Sequence, residues 1–327
     1  MLKNPLPDPF VLLLVATIAV ASLLPAEGWG VPLFSVLTKV AIAVLFFLHG
    51  AKLSRESVVA GATHWRLHLC ILASTYVMFP LLAIVLRPLL APWVTPALYA
   101  GVVYLCVVPS TVQSSIVLTA MGRGNVSAAV CSASVSNLLG VFLTPLLAAL
   151  LLSTDHGGLS WGVIGDIVSL LLVPFGLGQA LQRWVAAPVK RHASIVKAMD
   201  KGMLMLIIYT AFSASVREGL WHETSPGVLA ALLGVCVLLL FIALNVNRGV
   251  ARLCGFAKDD EVAMVFCGSK KSLASGIPIA QVLFATHGMG ALVLPLMIYH
   301  PLQLTVCTFI ARHYARRPDV PPVGSAA

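Results

Sequence analysis

Along this chain, hydrophobic residues fall in long uncharged runs separated by short polar islands. Residues 9–26, 67–86 and 224–247 contain no Asp, Glu, Lys or Arg, and each is close to the roughly 20 residues that a helix needs to cross a bilayer. Residues 88–122 and 272–311 are also uncharged, but each run is too long for one helix. Divided at the polar islands, the pattern predicts ten spans: 9–26, 31–50, 65–87, 96–121, 125–152, 161–184, 199–217, 226–248, 261–286 and 289–311.

The cations orient these spans, because short cytoplasmic loops accumulate lysine and arginine. With the N-terminus inside, sixteen of the 21 lysines and arginines fall in inside loops or termini, and only Arg87 and Arg217 fall outside. Lys39, Lys270 and Lys271 lie within spans. The expected protein is therefore integral to the plasma membrane, or to the inner membrane of a bacterium, with both termini cytoplasmic. Composition points the same way: 59% of residues are hydrophobic, 10% are charged and the mean hydropathy is +0.96, whereas soluble domains carry about 25% charge. The net charge of +9 does not suggest nucleic acid, since the cations border the membrane and no basic patch with interleaved aromatics occurs. Seven scattered cysteines with no CxxC predict neither disulfides nor a metal centre. His64 and His68 read as interfacial histidines, and no cofactor is expected.

The halves of the chain echo each other. "LCVVPSTVQSS" (105–115) and "VFCGSKKSLAS" (265–275) match in character at an offset of 160. Each is an apolar run interrupted by small, hydroxyl or amide residues, and each precedes a long span with a proline inside it, Pro145 or Pro301. Five spans per half makes the second half enter from the opposite side, which gives the inverted repeats of many secondary transporters. In such folds irregular backbone at mid-membrane is tolerated only where it faces protein or water. Pro109, Gly276 and Pro278 are the expected helix-breaking residues. Lys270 and Lys271 sit at the second interruption, with no other charge from 262 to 311. A lysine at mid-bilayer costs about 3 kcal/mol or more, so the pair needs a reason. Lys39 and Asp166 read as a structural pair.

Four stretches, "FFLHGAKLSRES" (46–57), "VPSTVQSSI" (108–116), "RGNVSAAVCSASVSNLLGVFLTPLL" (123–147) and "FCGSKKSLASGIPIA" (266–280), make the chain resemble the bile acid:sodium symporter family. The resemblance runs over nearly its whole length, and within the family it is to the orphan branch that includes the seventh mammalian member. It implies an all-α membrane protein of ten helices in two inverted five-helix repeats, 1–156 and 157–318, followed by a disordered tail, 319–327. It further implies a panel domain, about 9–52 and 160–218, and a core domain, about 63–154 and 224–315, in which unwound helices 4 and 9 cross beside the substrate cavity. In sodium-coupled relatives a glutamate at the ninth-helix break helps bind sodium. Here that position falls on Ser269, and two nearby amide positions fall on Leu273 and Ala274. The fourth-helix Ser-Asn pair becomes Ser114-Ser115, and two fifth-helix hydroxyl positions become Ala129 and Ala133.

An anionic, amide-rich sodium site is thereby replaced by hydroxyls and two ammonium groups. A lysine would stand in for bound Na⁺, or would carry a proton, or both lysines would only lock the break. The leading expectation is a secondary active transporter of a small organic anion by alternating access, coupled to protons or independent of sodium, with proton or sodium as the open choice of coupling ion. Half-helix N-termini and lysines at the midplane both favour an anion. The expected substrate- or ion-binding residues are Thr111, Gln113, Ser114, Ser115, Asn137, Ser269, Lys270, Lys271, Ser272 and Ser275. Two other readings stand beside it. One is a non-transporting membrane regulator or sensor. The other is an intramembrane Ser–Lys hydrolase using a pair such as Ser114 with Lys270, although none of the familiar catalytic motifs occurs.

Overall fold

The computed structural model describes residues 9–52, 64–90, 92–152, 161–284 and 289–317, and every regular element among them is helical. Lys3, the 53–57 end of the first motif, the junction at 156–157 and the tail 319–327 lie outside the described residues. In chain order the helices are α1 (Pro9–Leu23), α2 (Gly30–Lys52), α3 (Trp65–Leu90), α4 (Pro96–Val107), α5 (Gln113–Met121) and α6 (Val126–Leu152). Next comes α7, which begins as Trp161–Ile167 and continues through Val173–Ala180, then α8 (Gln182–Arg191) and α9 (Ala193–Arg217), followed by the single unnumbered turn Leu220–Glu223. The last four are α10 (Pro226–Leu253), α11 (Lys258–Gly268), α12 (Leu273–Leu283) and α13 (Met289–Ala315). Among the described residues, α2, α3, α6, α10 and α13 are each long and apolar enough to cross a membrane, and the bent pair α7–α8 adds a sixth candidate.

Local chemistry sets the starts and stops. α4 and α10 begin with the same device, a hydroxyl cap followed by proline. Thr95 accepts the Leu98 N–H and Ser225 accepts the Val228 N–H, and the proline in each first turn has no N–H to leave unpaired. Several helix ends outrun the uncharged pattern. α10 reaches Leu253 rather than 248, α13 reaches Ala315 rather than 311, and α9 begins at Ala193 rather than 199. Charged side chains end an apolar run but not a helix, because their stems lie along it while their heads reach water.

The expected span 161–184 is a larger departure. It ends at Ala180, and α8 follows after an 89° bend with no buried residue. Arg183 stacks over the Trp184 ring at 3.9 Å, and Lys190 and Arg191 close the last turn. This is an amphipathic helix suited to a membrane surface. Lys39 and Asp166 are both exposed and form no ion pair with each other, so the structural pairing expected for them is not made. At the base of α2, Lys52 pairs instead with Asp200 of α9.

α1, α2, α7 and α9 pack together, and so do α3–α6 with α10–α13; the groups meet where α9 touches α12 and α13 and where α7 touches α12. The α2–α7 seam depends on reciprocal glycines. A Cβ on Gly50 would overlap the Phe175 carbonyl, and one on Gly178 would overlap that of Phe47.

Candidate functional site

Two helices stop inside the second group and restart a few residues later. α4 ends at Val107 and α5 begins at Gln113; α11 ends at Gly268 and α12 begins at Leu273. The two gaps touch, for the Ser272 N–H donates to the Pro109 carbonyl at 2.8 Å. A helix that ends away from water leaves its last four carbonyls without partners. How these carbonyls are satisfied explains most of the polar residues nearby.

At the end of α11 every one of the four is met by a hydroxyl. Ser269 Oγ donates to Val265 O at 2.6 Å, Ser115 Oγ to Phe266 O at 3.4 Å, Ser110 Oγ to Cys267 O at 2.6 Å and Ser74 Oγ to Gly268 O at 3.0 Å. The next carbonyl, of Ser269, accepts from Tyr299 OH at 2.8 Å. At the end of α4, Thr144 Oγ1 donates to Val107 O at 2.9 Å, while the Lys271 ammonium serves Cys106 O at 2.7 Å and Val108 O at 3.0 Å.

The third proton of Lys271 goes to Thr75 O on α3, at 2.9 Å. That carbonyl is free for a reason written in the sequence. Ser74–Met78 forms a π turn, in which the Phe79 N–H reaches back to Ser74 O. The residue that would serve Thr75 O in the same register is Pro80, which has no N–H. The ammonium also lies 4.2 Å from the centre of the Phe79 ring, a cation–π contact. Gln303 of α13 holds the Lys271 backbone from the other side. Its Oε1 accepts the Lys271 N–H at 2.8 Å and its Nε2 donates to the Lys271 carbonyl at 2.8 Å. All three donors of a fully buried lysine are thus used, in a geometry resembling the coordination of a small cation.

Lys270 differs. Its side chain is as buried as that of Lys271, yet Nζ has no hydrogen-bond partner. The remaining expected residues form a second layer. Asn137 of α6 is half-buried; its Nδ2 donates to Ser110 O at 2.6 Å and its Oδ1 accepts from Ser275 Oγ at 2.6 Å. Ser272 caps α12 by accepting the Ser275 N–H. Thr111 Oγ1 lies 2.7 Å from Ser114 Oγ and 3.2 Å from Ser115 Oγ. Gln113 is exposed and Ser114 half-buried, so the open side of the crossing carries amides and hydroxyls while both ammonium groups face inward. Of the expected helix-breaking residues, Pro109 lies in the first gap and supplies the carbonyl that joins the two. Gly276 and Pro278 do not break the helix: both lie inside α12, after the gap at 269–272, and Gly276 O accepts from Tyr104 OH at 2.6 Å.

Sequence reasoning missed Ser74, Ser110, Thr144, Tyr299, Gln303 and Ser136, whose Oγ accepts the Ser110 N–H at 3.1 Å. The available signal was weak but real: a glutamine at 303 within forty uncharged residues, and hydroxyls spaced along apolar helices, each need a partner. Ser114 bonds to Thr111, Lys270 Nζ has no hydrogen-bond partner and Lys271 Nζ donates only to carbonyls, so no Ser–Lys hydrogen bond is made at the crossing among the described residues.

Comparison with known proteins adds a family match and three relatives. The profile of the SBF-like CPA transporter family matches residues 8–316. The protein PA2026 of Pseudomonas aeruginosa PAO1 is 54% identical over 315 residues, 96% of this chain and 95% of that one. YfeH of Escherichia coli K12, a candidate symporter by name, is 48% identical over 95% of this chain and 94% of its own, and sodium/bile acid cotransporter 7 of Xenopus tropicalis is 30% identical over 90% and 88%.

Proposed function

The chain belongs to the SBF-like CPA transporter family, and from that premise we propose that it is a secondary transporter moving a small organic anion by alternating access, without sodium. The family is one of transporters rather than enzymes, which removes the hydrolase reading, and the apolar helices make it an integral membrane protein. The observation that carries the sodium-independent reading is the Lys271 ammonium, fixed on three backbone carbonyls where two broken helices meet. A Na⁺ placed about 4 Å from that charge would be repelled by about 4 kcal/mol at an effective dielectric of 20. No carboxylate stands at Ser269 to offset it.

In this reading the ten spans are α1, α2, α3, α4–α5 and α6, then α7, α9, α10, α11–α12 and α13. The halves are inverted repeats, supported by the start of α5 at Gln113 and of α12 at Leu273, the same offset of 160 that relates the two motifs. α1, α2, α7 and α9 form the panel and the other spanning helices the core, with both termini cytoplasmic in the plasma or bacterial inner membrane. The anion meets Gln113, Ser114 and Asn137 on the open side, with buried Ser275 bonded to Asn137 behind it, and Thr111, Ser115, Ser269 and Ser272 hold the break. If a proton is the coupling ion, Lys270 is the group it would use, since Lys271 has no free donor. Uptake into proteoliposomes, screened over organic anions with Na⁺ replaced by choline, tests the proposal. Uptake that needs Na⁺ would overturn its central part.

A further inference from the structure

Away from the crossing, α10 and α13 diverge to leave a groove of about 510 Å³. It extends along α10 from Val237 to Arg248 and along α13 from Leu302 to Tyr314. At 1.5 Å per residue that is about 16–18 Å, close to half of the roughly 30 Å hydrocarbon core. The groove is therefore one leaflet deep. Its walls are apolar, with Phe241 63% and Phe309 64% exposed, and its polar residues, Asn245, Arg248 and His313, cluster at one end.

That end carries an excess of positive charge. The buried carboxylate of Glu261 accepts from Lys258 at 2.6 Å and from Tyr314 OH at 2.8 Å, and Arg248 and Arg252 approach it at 3.7 Å. Three cations share one carboxylate, and the two arginine side chains are 50% and 56% exposed. Asp260 is engaged elsewhere, by Asn125 at the α5–α6 turn. An apolar slot one leaflet long with cations at its interfacial end has the shape and charge of a phospholipid. We propose that it seats one anionic glycerophospholipid, an acyl chain between α10 and α13 and the phosphate at Arg248. Val265 of α11 also lines the groove, and its carbonyl accepts from Ser269 Oγ beside Lys270. The lipid would thus brace the helix that leads into the break.

The test uses the purified full chain in neutral detergent, titrated with phosphatidylglycerol, with phosphatidylcholine of the same chains, or with inorganic phosphate alone. The expected result is a saturable rise in Tm with phosphatidylglycerol, at least threefold larger than with phosphatidylcholine and absent with phosphate. Arg248→Gln should lose the headgroup preference, and Val306→Trp, which fills the slot, should lose the response to both lipids. A direct reading that does not depend on those variants comes from Phe309→Trp, whose added fluorescence should be quenched more by chain-brominated phosphatidylglycerol than by brominated phosphatidylcholine. Equal responses to the two lipids, stabilisation by phosphate alone, or a full preference retained by Arg248→Gln would overturn the proposal. The outcome is independent of which solute is carried.

Discussion

Replacing Lys271 by alanine removes the one side chain that joins α3, the end of α4 and the second break. Three hydrogen bonds of 2.7–3.0 Å are lost, and three carbonyls are left unpaired. Bonds to a charged group are worth about 1.5–3 kcal/mol each, but the ammonium's own desolvation penalty, several kcal/mol, is also relieved. The net loss should be about 3–5 kcal/mol, since three buried neutral carbonyls left unpaired cost about 1–3 kcal/mol each and the relieved desolvation of the ammonium offsets part of that. At about 2–4 °C per kcal/mol for a protein of this size, Tm should fall by roughly 6–20 °C. The variant also leaves a carbonyl-lined hole without the Lys271 charge to repel a cation, Lys270 being the remaining lysine beside it. Sodium should then stabilise Lys271→Ala and not the wild type, by about 2.7 kcal/mol at a hundredfold excess over its Kd. The assay is thermal unfolding in NaCl against choline chloride at matched ionic strength. A variant within about 2 °C of wild type would show that the bonds contribute little. A destabilised variant that no monovalent cation rescues would refute the idea that the ammonium stands where an ion could.

Four other outcomes follow from the same geometry. Gln303→Leu leaves the Lys271 N–H and carbonyl unpaired and should cost about 2–4 kcal/mol at about 1–2 for each group, read as a fall in Tm. Ser275→Ala breaks its 2.6 Å bond to Asn137 and should reduce anion uptake at least tenfold at a cost of about 1 kcal/mol of stability, whereas Asn137→Ala also frees the Ser110 carbonyl and should cost about 2–3 kcal/mol; unchanged uptake would remove them from the pathway. Gly140→Val brings a Cβ to 2.7 Å from Pro109 Cβ and 2.9 Å from Tyr76 OH, so it should displace the first break and abolish uptake, measured alongside a size-exclusion profile. A reporter active only outside the cytoplasm, fused after Arg317, should be inactive if both termini are cytoplasmic.

The apolar helices were legible in the sequence because lipid and buried protein impose one rule, that nothing charged be left in the run. Their ends were less legible. The same rule says nothing about a helix that continues into water, which is why α10 and α13 outrun the pattern and why most of α8 falls between the expected spans 161–184 and 199–217. The two interruptions were readable from Pro109 and from the adjacent lysines, since neither suits an uninterrupted mid-membrane helix. Which lysine does what was not readable. Adjacent residues outside a helix point in directions set by neighbours far along the chain, here Thr75, Cys106 and Gln303. Nor did the pattern reveal that Pro80 matters to Lys271, because that link passes through a π turn.

The crossing brings together two helix C-termini and two N-termini, and at about half a charge per end their fields nearly cancel. The sign of the site is therefore set by side chains. On the negative ends, neutral hydroxyls satisfy all four final carbonyls of α11 without adding charge, and one ammonium is fixed on α4 and α3. On the positive ends, α5 has no side-chain cap and α12 is capped only by the Ser272 hydroxyl. Lys270 adds a second cation when protonated. A carboxylate at 269 would reverse this balance by cancelling one lysine and drawing in a small cation. A serine that turns back onto its own helix leaves the balance positive. On the proposed reading, the arrangement that excludes sodium is the same one that favours a negatively charged solute, and the two properties should be lost together when Lys271 is removed.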